Sequence, residues 1–245
     1  MSPDLPELPK FRPSQSRLIE KQIETSFFGR RKGKSLSPSQ QRLMDELLPK
    51  ISLNPTRPIS SATALFDHAP KEVWMEIGFG GGEHLVRQAE TNREIGLIGC
   101  EPFVNGVVKA LAVIEERALE NIRIYDEDAA HILDWLPEAS LDKVFLLYPD
   151  PWHKKRHWKR RFVSDRNLER IARVLKPGGI FRFASDIETY VSWTLDHVGR
   201  CNALEERASS PEERLVAWPD WQRTRYEAKA FREGRKPQYL TFHRI

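Results

Sequence analysis

Short apolar runs alternate along this chain with longer stretches in which apolar residues recur every three or four positions. The two periods predict strands and helices in turn. Strands are expected over residues 73–77, 95–100, 122–125, 141–148 and 180–184, and helices over 83–91, 103–119, 132–136 and 164–175. Pro177-Gly178-Gly179 reads as a stop before the fifth strand. A helix over 188–200, a strand-like piece at 203–206 and a final strand over 238–243 complete the series. Such alternation predicts an α/β fold, a doubly wound, mostly parallel sheet with helices on both faces. Ahead of it, the spacing of Leu43, Met44, Leu47 and Leu48 predicts a helix from Ser39, closed by Pro49. Residues 1–40 are rich in Pro, Ser and Gln and are expected to form a flexible basic arm with one short helix near 17–24. Residues 41–245 are expected to form one domain.

Composition narrows the class. The chain has 245 residues, 40% hydrophobic and 30% charged, as in an ordinary soluble globular protein. Its two cysteines, Cys100 and Cys201, lie in no metal-ligand spacing, so neither a disulfide framework nor a structural metal is expected. No apolar stretch approaches a membrane span and the amino end lacks signal-peptide character, so a cytoplasmic location is expected. Nothing marks an obligate protein partner.

Net charge is only +4, but it is unevenly placed. Residues 153–161 read His-Lys-Lys-Arg-His-Trp-Lys-Arg-Arg, with six full positive charges in nine positions, and Arg30-Arg31-Lys32-Gly33-Lys34 forms a second block. Both point to a polyanionic partner, with Lys155, Arg156, Lys159, Arg160 and Arg161 as candidate phosphate contacts.

The first strand runs into Glu76-Ile77-Gly78-Phe79-Gly80-Gly81-Gly82-Glu83, a glycine-rich turn at the carboxyl end of a strand, where open α/β sheets bind ligands. A dinucleotide fingerprint starting at Gly78 would need glycine at position 83, where Glu83 would set negative charge beside a pyrophosphate. The Gly-Lys-Ser/Thr of a P-loop is also missing. The pattern resembles instead motif I of class I S-adenosylmethionine-dependent methyltransferases, with Glu76 as its acid and Gly78, Gly80 and Gly82 as its glycines. Glu101, at the end of the second strand, is placed to accept from ribose hydroxyls. Asp128 follows the third strand, where resembling methyltransferases hold the adenine amino group. A tight turn and solvated acids are the bland alternative; three acids at three successive strand ends favour a cofactor site.

The fourth strand ends in Tyr148-Pro149-Asp150-Pro151-Trp152, where two prolines hold the chain around a single carboxylate. From Pro149 through Arg161 the chain resembles the bacterial tRNA (guanine-N7)-methyltransferase family, and the similarity extends through Phe183-Ala184-Ser185-Asp186 and Thr224-Arg225-Tyr226-Glu227. The arm sequence from Ser26 to Lys34 is similar too, less tightly. This resemblance implies a Rossmann-like methyltransferase sheet, S-adenosylmethionine as cofactor, and methyl transfer to N7 of a guanosine in the tRNA variable loop. It implies Asp150 as catalytic and cofactor-side residue, and Lys154, Asp186, Thr224, Arg225, Tyr226 and Glu227 as substrate contacts. Guanine N7 carries a free lone pair at neutral pH, so alignment and desolvation suffice without a general base. Asp150, Asp186 and Glu227 are candidates for holding the N1 and N2 hydrogens and for stabilising the cationic product ring. Trp152 or Trp158 is available to stack on an unpaired base. Two rivals remain: an amino-group methyltransferase using Asp150 as acceptor for the reacting amine, and a noncatalytic RNA-binding module on the same fold.

Overall fold

The computed structural model describes residues 28–207 and 210–245; the short helix expected near 17–24 lies outside them. Seven strands form one sheet in the order β3-β2-β1-β4-β5-β7-β6. They are β1 (Glu72–Ile77), β2 (Ile95–Cys100), β3 (Ile122–Tyr125), β4 (Leu141–Leu147), β5 (Leu175–Ser185), β6 (Leu204–Glu206) and β7 (Gln238–Arg244). The first five run parallel, whereas β7 is antiparallel to both β5 and β6. All six residues of β2 are buried, as expected of a strand covered on both faces.

The connecting helices are α1 (residues 38–51), α2 (Glu83–Thr91), α3 (Val104–Glu116), α4 (Ala129–Trp135), α5 (Asp165–Val174), α6 (Glu188–Val198) and α7 (Arg225–Arg232). One face packs Met75, Val144, Phe181 and Phe183 with Tyr190 of α6; the other packs Trp74, Leu97 and Phe145 with Leu85 of α2 and Leu111 of α3. The doubly wound expectation holds.

Two stop signals were misread. Pro49 does not close α1: the helix runs on to Ile51, because a wide π turn over Leu43–Leu47 precedes the last turn and leaves proline near its start. Pro177-Gly178-Gly179 does not precede β5 but lies within it. Leu141 pairs with Leu175 and Lys143 with Ile180, so residues 176–179 bulge outward. Helix α7 has no counterpart in the sequence-based expectation.

Order reverses at β1, which lies between β2 and β4, and this switch opens a crevice at the strands' carboxyl ends. There the first turn of α3 packs against the glycine-rich loop without an intervening side chain. A Cβ on Gly106 would stand 2.3 Å from the Gly80 carbonyl oxygen, and that neighbour is backbone. Gly106→Ala is therefore expected to cost roughly 1–3 kcal/mol through overpacking, measured by chemical denaturation. An unchanged midpoint would show that loop and helix separate freely.

Candidate active site

The crevice is a cavity of about 390 Å³, walled by the ends of β1, β2 and β4, the loop before α4, the arm and the start of α7. Its chemistry begins with Glu101, only 7% exposed. Its Oε2 accepts from the Gly80 backbone N–H at 2.7 Å and its Oε1 from the Phe103 N–H at 2.8 Å. One carboxylate thus ties the glycine loop to the entrance of α3. Burial pushes its carboxyl above the usual range against the pull of these bonds, and the nearby Asp150 and Glu76 charges push the same way.

Asp128 caps α4, its Oδ1 accepting from the Ala130 N–H at 3.0 Å, and it lines the same cavity. Asp150 stands on the opposite wall, open to solvent on one side and desolvated on the other, which raises its carboxyl. Its turn is strained: Tyr148 and Trp152, on either side of Pro149-Asp150-Pro151, have φ of 49° and 47°. Bulky residues enter that left-handed region only when their surroundings force them, and such strain clusters at functional sites. Gly78 and Gly80, also at positive φ, line the wall beneath. Cys100, the last residue of β2, lines it too. Burial, together with Asp128 and Glu101, pushes its thiol well above the ordinary value.

Two of the expected cofactor residues are not in the wall. Glu76 is buried and its Oε2 meets His84 Nδ1 at 2.8 Å, so its charge reaches Glu101 without facing the cavity. Gly82 starts α2 against Ala110, supporting the loop from behind.

The expected substrate contacts divide similarly. Arg225 and Tyr226 line the cavity. Lys154 is exposed beside it, and Asp186 pairs with Arg235 at 2.5 Å. Thr224 caps α7, its hydroxyl accepting from the Glu227 N–H at 3.3 Å. Glu227 is 2% exposed and outside the wall: its Oε1 accepts from Trp221 Nε1 at 3.0 Å and from the Tyr239 hydroxyl. Enclosure by these two aromatics places it behind the cavity.

Of the basic run, Lys155–Arg160 forms a 3₁₀ turn with Lys155, Arg156 and Lys159 exposed. Arg160 lies over the Trp152 ring at 5.0 Å and joins the wall. Arg161 is a correction. It is 3% exposed, and it donates to the Pro151 carbonyl at 2.9 Å, the Thr189 carbonyl at 2.8 Å and the Thr189 hydroxyl at 3.2 Å. It braces the Asp150 turn from inside and has no face for phosphate.

Sequence reasoning missed the arm's part in the wall. Phe28, Gly29 and Arg30 close one side of the cavity, and the described part of the arm is packed onto the domain. Asn105 pins it, accepting from the Gly33 N–H at 2.7 Å and donating to the Lys34 carbonyl at 2.8 Å. The sequence offered two signals there, the basic block at 30–34 and the looser family similarity of Ser26–Lys34; the first spoke of charge and neither of docking.

A protein family described as a putative methyltransferase matches residues 70–240. The tRNA (guanine-N(7)-)-methyltransferase of Brucella melitensis is 56% identical over 220 residues, covering 89% of this chain and 94% of that protein. That of Agrobacterium fabrum is 56% identical over 221 residues, covering 89% and 95%. The chain belongs to the tRNA (guanine-N7)-methyltransferase family. Among solved structures, a variant of the 16S rRNA (adenine(1408)-N(1))-methyltransferase from Catenulisporales acidiphilia superposes with a TM-score of 0.52 at 15% identity, covering 79% of this chain and 92% of that one. This likeness concerns the fold alone. In this methyltransferase-family chain the cavity brings Glu101, Asp128 and Asp150 together, with Arg161 fastened behind the Asp150 turn. Arg161→Ala is expected to cost about 2–4 kcal/mol, because a buried charge and its carbonyl acceptors lose one another. Lys159→Ala, on the surface, should stay within about 0.5 kcal/mol. Equal denaturation midpoints for the two variants would refute the internal brace.

Proposed function

We propose that the protein moves a methyl group from S-adenosylmethionine to N7 of a guanosine in the variable loop of tRNA. The observation that carries this reading is the meeting of Glu101, Asp128 and Asp150 in one cavity bordered by an exposed basic run. The side-chain charges acting on Glu101 are themselves acidic, so a cationic ligand would relieve both its desolvation and its repulsions. The sulfonium and amine of S-adenosylmethionine fit that need. When bound, this cofactor supplies a methyl group on a positively charged sulfur.

In this reading Glu101 accepts from the ribose hydroxyls with the lone pairs its two backbone bonds leave free, and Asp128 faces the adenine end. Asp150, held by the strained turn, stands at the reacting edge. Nucleophilic attack by N7 releases no proton, so no side chain here acts as base. The ring becomes cationic, and Asp150 stabilises that charge as it develops. Exposed Lys154, Lys155, Arg156 and Lys159 neutralise phosphates, which binds RNA without reading its sequence. A tRNA substrate and the absence, among the described residues, of any helix long and apolar enough to cross a membrane accord with work in the cytoplasm.

Incubation with S-adenosylmethionine and bulk tRNA, followed by nucleoside mass analysis, should yield 7-methylguanosine. Methylated adenine, or methyl on protein alone, would overturn the assignment in favour of the amino-group reading. Asp150→Asn should lower kcat about 100-fold or more by loss of charge stabilisation while leaving the salt dependence of tRNA binding intact; full activity would remove Asp150 from its role.

The raised carboxyls of Glu101 and Asp150 carry a second expectation. A raised acid binds its proton more tightly folded than unfolded, so the ligand-free fold loses stability as pH rises from the unfolded pKa through the folded one. A cationic cofactor favours the ionised carboxylates, so its affinity should fall as pH drops through that window, with protons released on binding. Calorimetric titration in buffers of different ionisation enthalpy measures this release. A pH-independent affinity from pH 4.5 to 7, values on the order of the ordinary carboxylate range and above, would contradict it.

A further inference from the structure

Helix α7 is polar on its inner side and cationic on its outer side. Glu227 and Ala230 are buried against the domain, as is the capping Thr224, whereas Arg225, Lys229 and Arg232 are exposed. Positions four and seven residues apart share a helix face, so these three cations form one row, about 10 Å long at 1.5 Å per residue. The row starts at the cavity wall, where Arg225 stands, and leads away from it. Lys236, just beyond the helix, is exposed as well.

The charge here is not an average property of the surface. Residues 223–236 contain six basic and two acidic side chains, and residues 154–161 contain six basic and none acidic. Together these two segments carry more positive charge than the whole chain, whose net charge is +4, so the remainder is net negative. Both basic segments reach the lining of one cavity from different elements: Arg160, beside Trp152, from the turn after β4, and Arg225, beside Tyr226, from the start of α7 against Gly80 and Gly81. Neighbouring acids offset part of it: Glu227 approaches Arg223 at 3.7 Å, Glu83 approaches Arg225 at 3.4 Å, Glu233 approaches Lys229 at 3.8 Å, and Arg235 pairs with Asp186 and Glu233, whereas Arg232 and Lys236 stand exposed at the far end of the row.

We infer that the outer face of α7, carried by Lys229, Arg232 and Lys236, is a second contact surface for the tRNA backbone, across the cavity mouth from residues 154–160. This rests on the tRNA reading above and extends it: the RNA straddles the opening, held by phosphates on both sides, so that the base presented between them faces the cavity. A row of cations fixed on a helix positions a strand, while base identity is read inside.

The test uses the full chain with Lys229→Gln and Arg232→Gln combined, both surface substitutions. Affinity for a cofactor analogue serves as the check on folding. The KM for tRNA should rise about tenfold, more than kcat changes, and the slope of log K against log salt should flatten by roughly 1 to 2. The conservative pair Lys229→Arg with Arg232→Lys should restore both values. An unchanged KM and slope in the neutral pair would overturn the inference, provided wild type methylates the same tRNA and Lys155→Gln with Lys159→Gln raises its KM. A wild type that transfers no methyl to tRNA would overturn the underlying reading instead.

Discussion

The arrangement depends on one buried carboxylate. Glu101 accepts from backbone N–H groups on two elements, the glycine loop at Gly80 and the entrance to α3 at Phe103. A neutral side chain of the same shape has one acceptor where the carboxylate has two oxygens, so it could not hold both ends. The charge that orders the cavity is therefore also the charge that burial penalises. Such a residue is stable only where the topology supplies donors, and the reversal of strand order at β1 supplies them.

The opposite wall is built on a different principle. No carboxylate holds the Asp150 turn; two prolines and two bulky residues in the left-handed region do, with the Arg161 guanidinium fastened to the Pro151 carbonyl behind it. Arg161 also lies against the rings of Trp158, Tyr190 and Trp193, at 4.3, 4.7 and 5.5 Å from their centres, so the brace is anchored in α6 and in the aromatic core. The basic run is thus two things in one segment: exposed cations at Lys155, Arg156 and Lys159, and an internal strut at its end.

Much of this was legible in the sequence wherever hydrophobic pattern decides structure. β2 and β3 begin and end where their apolar runs do, and the acids at the ends of β2 and β4 fall at the cavity for the same reason. Helix α7 was not legible, because its buried side presents Glu227 and Ala230 in place of an apolar stripe. Pattern cannot reveal an inward face made by a carboxylate hydrogen-bonded to Trp221 and Tyr239. Arg161 failed for the converse reason: within a run of cations, nothing in the sequence tells which one the fold turns inward. The same holds for Glu76, whose partner His84 lies in the first turn of the next helix, where the sequence gives no sign that it turns back to a strand-end acid.

Cys100 gives the cavity a property of a different kind. A methyl donor is an alkylating agent, and the protein group most readily alkylated is a thiolate. Here a cysteine stands in the wall itself, yet burial and two neighbouring carboxylates keep it protonated far above neutral pH. The acids that would attract a cationic donor thus also help keep a soft nucleophile in the same wall protonated. The same protonation shields this sulfur from oxidants, whose attack likewise begins at the thiolate. Burial first, and the acids beside it second, would thus guard this sulfur against methylation and oxidation alike.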